Sequence, residues 1–316
     1  MADIALIIGN GFDIDLGLPS RYSDFIKSKE WDNVVKGVNT FLQLEDYRQH
    51  SLIGQLQLAS KESKWFDIEE EIHKFVIAHP DNTDEAIGEI KSEFEAIKNA
   101  LANYLKRISK KYESNNIEVD GSKLSASLLS ILNSENVSVS ELFFNYTSPH
   151  SFIEFDDIFN KKCTLTYVHG KLDDGDIVLG CDLQPGEEVN RQLSFMYKYN
   201  MLNKANHVAR DILEAKVVIF FGHSINEMDF GYFREFFKAA SASPHPARHL
   251  TIITYDEQSE RAIKDNIRNQ GISVTDLYNN LESFDFVHTT GIYNRDYSEH
   301  KKMSDLVDRI YGCASY

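Results

Sequence analysis

The chain has 316 residues, with 33 basic against 49 acidic side chains and a formal net charge of −16. Single cores stop growing at roughly 250–300 residues, so this length reads as one large or two modest domains. Its 42% hydrophobic and 12% aromatic content excludes a disordered chain, and the acidic balance argues against a nucleic-acid partner, because counterion release needs clustered Lys and Arg.

In chain order, the first element is the continuous apolar run Ile4 to Ile8, closed by Gly9-Asn10-Gly11, which predicts a strand buried on both faces. From about Trp31 to Glu135 strand-like runs thin out. Ile87, Ile90, Phe94, Ile97, Leu101, Leu105 and Ile108 recur at spacings of three and four, so one long amphipathic helix is predicted there, with Thr83 as its N-cap. Asp84, Glu85, Glu89 and Glu93 fill its first half and Lys106, Arg107, Lys110 and Lys111 its last, which complements the helix dipole and reads as a solvated face. Tyr112 to Lys123, with Ser114-Asn115-Asn116 and Asp120-Gly121, reads as a loop.

Strand-like runs resume at Leu142–Phe144, Leu165–Val168, Ile177–Leu179, Val217–Phe221 and Leu250–Thr254, with helical stretches at Asn203–Glu214 and Ser259–Asn269. This alternation predicts an α/β, Rossmann-like fold with a mostly parallel sheet and a large α-helical insertion. The expected division is a nucleotide-binding core, residues 1–30 plus 136–316, and a helical insertion at 31–135.

Directly after the first predicted strand stands Gly9-Asn10-Gly11-Phe12-Asp13-Ile14-Asp15-Leu16-Gly17-Leu18-Pro19. A Gly-x-Gly turn there lets backbone N–H groups approach a phosphate, and the following helix N-terminus adds a favourable partial charge. The usual GxGxxG fingerprint is broken, because Ile14 stands at its third glycine and no acid ends a second strand about 20 residues on. An ordinary dehydrogenase fold is therefore disfavoured. Three further predicted strands end in polar groups: Phe144-Asn145-Tyr146-Thr147, Val168-His169-Gly170, and Phe221-Gly222-His223-Ser224 with Asp229 beyond it. Taken singly, Asn145 can form an Asx-turn, His169 can be a satisfied structural residue and Asp13 can cap a helix. Taken together, they are expected on one edge of a parallel sheet, where nucleotides bind. Asp256 is either a partner for the adenosine ribose or a plain turn aspartate.

Cys163, Cys181 and Cys313 are an odd set without a CxxC pair, so neither a disulfide framework nor a cysteine-rich zinc site is written here. The start Met-Ala-Asp lacks the features of a signal peptide, and no run approaches the roughly 18 apolar residues of a membrane span. A cytoplasmic protein with no membrane partner is expected. Trp65, Asp67, Glu69, Glu70, Glu71 and His73 form an acidic cluster in which Asp67, Glu70 and Glu71 share one helical face. Such clusters are usually solvated, and no metal is expected.

The order of motifs resembles the sirtuin-like NAD-binding fold. In sirtuins a Gly-Ala-Gly loop continues to Gly-Ile-Pro, then come a strand ending Gln-Asn-x-Asp, a catalytic His-Gly and a Gly-Thr-Ser loop. Gly9, Gly11, Gly17 and Pro19 match the first loop, Asn145 the amide, His169 the histidine, and Gly222 and Ser224 the last loop. At closer range the chain resembles the AbiH family of phage abortive-infection proteins. The shared hallmarks are Ile8-Gly9-Asn10-Gly11-Phe12-Asp13, Gly17-Leu18-Pro19-Ser20-Arg21-Tyr22-Ser23-Asp24-Phe25, Trp65-Phe66-Asp67-Ile68-Glu69, Phe144-Asn145-Tyr146-Thr147, His169-Gly170, and Gly222-His223-Ser224 with Asp229. Thr147 replaces the acid of the sirtuin strand motif and the four-cysteine zinc module is missing, which disfavours protein deacetylation.

The resemblance implies a protein that binds NAD, or an ADP-ribose-type nucleotide, and breaks the nicotinamide–ribose bond. In that reading Asn145 orients the ribose or the attacking water, and His169 works on ribose hydroxyls or as general base. Asp13 stabilises the oxocarbenium-like charge. Gly9, Asn10, Gly11, Phe12, Gly17, Pro19, Tyr22, Gly222, His223, Ser224, Asp229 and Asp256 are the cofactor-binding set. Trp65 and Glu69 are expected to form a lid. A non-catalytic nucleotide sensor signalling to a partner and a metal-dependent nuclease are the alternatives, and a homo-oligomer or a defence-system partner is the expected assembly.

Overall fold

The computed structural model describes residues 2–38, 50–62, 66–79, 83–113, 123–134, 137–151, 162–172, 176–183, 186–188, 190–198 and 207–314. The expected loop motifs Ser114-Asn115-Asn116 and Asp120-Gly121, and Trp65, lie outside these residues. The chain forms two compact units. The first comprises Met1–Leu18, Tyr112–Val168 and Lys204–Tyr316, the second Pro19–Lys111 and His169–Asn203.

The strands are β1 (Ile4–Ile8), β2 (Val139–Phe143), β3 (Cys163–Tyr167), β4 (Gly170–Lys171), β5 (Asp176–Ile177), β6 (Val217–Phe221), β7 (His245–Thr254) and β8 (Leu281–His288). Six of them build the sheet of the first unit in the order β3-β2-β1-β6-β7-β8, and every pairing is parallel. Counted along the sheet alone, this is the 3-2-1-4-5-6 order of doubly wound folds, whose reversal point lies between β1 and β6.

Strand composition explains the arrangement. β1 and β6 read IALII and VVIFF and are buried at every position, as central parallel strands covered on both faces must be. Because side chains alternate, Ala5, Ile7, Val218 and Phe220 join a core completed by Phe230, Phe233, Phe236 and Phe237 of the helix Phe230–Ala242. Ile4, Leu6, Ile8, Ile219 and Phe221 join the opposite core, with Leu128, Leu129 and Leu132 of the helix Leu124–Ser134 and with Leu306 and Ile310.

The second unit is mainly helical, with helices Lys29–Val38, Leu52–Glu62, Ile68–Ala78 and Asp84–Glu113 and an antiparallel ladder between β4 and β5. Ile90, Phe94, Ile97, Leu101, Leu105 and Ile108 form the buried stripe of the long helix, and Thr83 Oγ1 accepts the Ala86 N–H at 3.3 Å as a cap does.

Some expectations are corrected. Ile177 belongs to the short β4–β5 ladder, not to the parallel sheet. Glu93 leaves the solvated face: it is buried, accepting from Ser51 Oγ at 2.9 Å and from the Ile53 N–H at 3.1 Å. Ser51 immediately precedes the helix Leu52–Glu62, and Ile53 lies in its first turn, whose amides lack partners inside the helix. Tyr112 is in the last turn of the long helix.

Candidate functional site at the sheet reversal point

Register sets the site. Ile8 of β1 pairs with Phe143 of β2 on one side and with Phe221 of β6 on the other, so Gly9, Phe144 and Gly222 leave the sheet at one level. The β1 and β6 turns then meet backbone to backbone. The Gly9 N–H donates to the Phe221 carbonyl at 3.0 Å and the Gly11 N–H to the Gly222 carbonyl at 2.9 Å. A Cβ on Gly9 would lie 2.6 Å from the Gly222 oxygen, one on Gly11 2.5 Å from the Gly222 Cα, and one on Gly222 2.4 Å from the Gly11 Cα. Gly222 also holds φ +64°, which favours glycine. The three glycines thus seat one turn against the other, and the two amides expected to face a phosphate are engaged by protein carbonyls.

Beside this junction lies the sharpest chemistry of the first unit. Asp13, in the helix Asn10–Leu16, is 1% exposed. Its carboxylate accepts from Asn145 Nδ2 at 2.9 Å and from the Thr147 hydroxyl. Burial pushes this carboxyl up to about 7, against the opposing pull of the Thr147 and Asn145 bonds. A carboxyl so placed exchanges a proton near neutral pH, as a general acid or base must. Asn145 is itself buried, and its Oδ1 has no hydrogen-bond partner among the described residues. A buried acceptor in that state is costly unless a ligand donor or water fills it.

The β6 turn carries a second buried pair. His223 Nδ1 accepts the Ile225 N–H at 2.9 Å, which places the ring proton on Nε2, 3.4 Å from Asp229 Oδ2. The ring packs edge-on against Phe144 at 4.9 Å and Phe233 at 5.1 Å. Ile225 has φ +50°, an outlying conformation for a β-branched residue. His223 and Asp229 therefore shape this turn from beneath, while Ser224 is exposed on it.

The remaining expected residues have local structural roles on view. Gly17, at φ 99°, ends the helix Asn10–Leu16 in the left-handed conformation that glycine favours. Phe12 is core, and Asn10 is exposed at the start of the same helix. In the second unit the Pro19 carbonyl accepts the Tyr104 hydroxyl, and Tyr22 begins the short helix Tyr22–Phe25. Asp256 caps Glu257–Asn269, accepting from the Ser259 N–H and hydroxyl at 2.9 Å each, bonds that hold its carboxyl below the usual range.

His169 belongs to the second unit, where it joins a buried cluster whose central residue sequence reading missed. Lys198 is 0% exposed; its Nζ lies 2.8 Å from Glu69 Oε2 and 3.4 Å from His169 Nε2. The available signal was a lone lysine in the aromatic run Phe195-Met196-Tyr197-Lys198-Tyr199.

The acidic cluster disperses. Asp67 precedes the helix Ile68–Ala78 and caps it, Glu70 and Glu71 pair with Lys74, and His73 lies 2.8 Å from Glu187. Among the described residues no three His, Cys, Asp or Glu side chains are grouped so as to hold a metal. Among them too, no helix is long and apolar enough to cross a membrane.

A family model described as bacteriophage abortive infection AbiH matches residues 5–248. No curated protein and no solved structure gives a significant match.

Proposed function

The chain belongs to the AbiH family of bacteriophage abortive-infection proteins, and from that premise we propose that it is an NAD-consuming effector. Its first unit binds the dinucleotide and hydrolyses the nicotinamide–ribose bond. The observation that supports this most is the Asp13–Asn145–Thr147 centre at the reversal point, with its buried Asn145 Oδ1, which has no hydrogen-bond partner among the described residues. Crevices at that point of a doubly wound sheet are where such ligands bind. Thr147 stands where the sirtuin strand motif has an acid, and Asp13 brings a carboxylate to it from the neighbouring helix.

In the proposed reaction the bond between ribose C1′ and the nicotinamide nitrogen breaks, and the leaving group takes the electron pair. Positive charge develops on the ribose, as in glycoside hydrolysis. Water adds to C1′ and loses one proton, so NAD and water give ADP-ribose, nicotinamide and a proton. Asn145 Oδ1 accepts from the water or a ribose hydroxyl, while ionised Asp13 stabilises the ribose charge and takes the proton. Asn10 and Ser224 are the exposed polar side chains that the two turns offer to the pyrophosphate.

The test is in infected cells. NAD should collapse after phage infection when the wild-type protein is expressed and persist with an equally abundant Asn145→Ala variant. Protection from phage with an unchanged NAD pool would favour a nucleotide sensor.

A further inference from the structure

In the second unit, three charged or titratable side chains from separate stretches of chain meet away from water: Glu69 at 5%, His169 at 3% and Lys198 at 0% exposure. A buried ammonium needs a counterion, and Glu69 supplies it at 2.8 Å. Lys198 is held from its backbone as well: its N–H donates to the Cys181 carbonyl at 2.9 Å, and the Cys181 N–H donates to the Met196 carbonyl at 2.9 Å. An ammonium can only donate, so across the 3.4 Å separation His169 Nε2 is the acceptor and the ring's proton is on Nδ1. Protonating Nε2 would set two positive charges side by side in a buried site.

We propose that Lys198 and Glu69 are positioning residues that lock His169 as a neutral ring with its proton on Nδ1, which removes Nε2 from general-base duty. The inference concerns the second unit alone and does not depend on the reaction proposed for the first. Among the described residues, Asp67, Cys181, Asp182 and Glu187 are further titratable groups near the cluster. Asp67 is tied up as a helix cap, and Cys181, raised to about 12 mainly by burial, stays a neutral thiol.

The deciding measurement is the long-range 1H–15N spectrum of the full-length protein labelled at histidine, recorded from pH 5.5 to 8.5. The His169 signals are assigned by their loss in His169→Gln. They should show the neutral Nδ1–H form throughout in wild type and Lys198→Arg, and an ordinary titration in Lys198→Met. A wild-type ring that carries its proton on Nε2, or that titrates within this range, overturns the proposal even if Lys198→Met does not fold. Because the spectrum needs no NAD, a lock observed without nicotinamide release would refute the proposed hydrolase and leave the lock standing.

Discussion

Asn145 donates its side-chain amide to the Asp13 carboxylate at 2.9 Å, joining the end of β2 to the first helix within the sheet unit. Neither residue is near the other in sequence, and both are buried. The pair exists because β1 and β2 are neighbours in register, so that the segments leaving them emerge side by side.

The Asp13 carboxyl should give stability a distinctive pH dependence. Its folded value of about 7 stands above the ordinary 3.8, so between those values the folded state holds a proton that the unfolded state has released. Stability therefore falls as pH rises through this window, by on the order of 4 kcal/mol in all. Asp13→Asn removes the slope, and its gain in urea midpoint over wild type should be larger at pH 8 than at pH 5. Equal differences at both pH values would contradict the raised value.

Gly222→Ala should be severe. The new methyl would sit 2.4 Å from backbone atoms of Gly11 and Phe12, and the residue keeps φ +64°. A loss of about 3 kcal/mol or more is expected from strain and collision. Thermal unfolding checks it; a variant as stable as wild type would show that the turns are not seated against each other.

Cys181 should be inert in the folded protein. It is fully buried and its thiol is pushed up to about 12, chiefly by burial, so the reactive thiolate is scarce at pH 8. Iodoacetamide followed by peptide mass analysis should find it unmodified in native buffer and modified in urea. Rapid modification in native buffer would place the thiol at the surface.

The sheet was legible where strands are wholly apolar. β1 and β6 announce themselves because both faces are buried, and the long helix because its apolar stripe repeats over many turns. β2 reaches back to Val139 through Ser140 and Glu141, polar residues that hide a strand until their partners are known. Ser140 meets Asp211, and Glu141 meets His150 and Cys163. β8, reading LESFDFVH, mixes charged and apolar positions and was not anticipated. At the site, Asn145 and Asp13 were both readable as strand-end and loop residues, but their bond is a matter of register. Lys198 was hard to read because the carboxylate that accepts from it, Glu69, is 129 positions away in the chain.

The most direct measurement is nicotinamide release by the purified protein. Full-length wild type incubated with NAD and lysate of phage-infected cells should liberate nicotinamide and ADP-ribose in equal amounts. Asn145→Ala and Asp13→Asn, shown to be folded, should fall by about a hundredfold or more, the scale set by losing a positioned catalytic group. Wild type that releases no nicotinamide under these conditions, or folded variants that release it at the wild-type rate, would contradict the Asp13–Asn145 centre as the site of NAD cleavage.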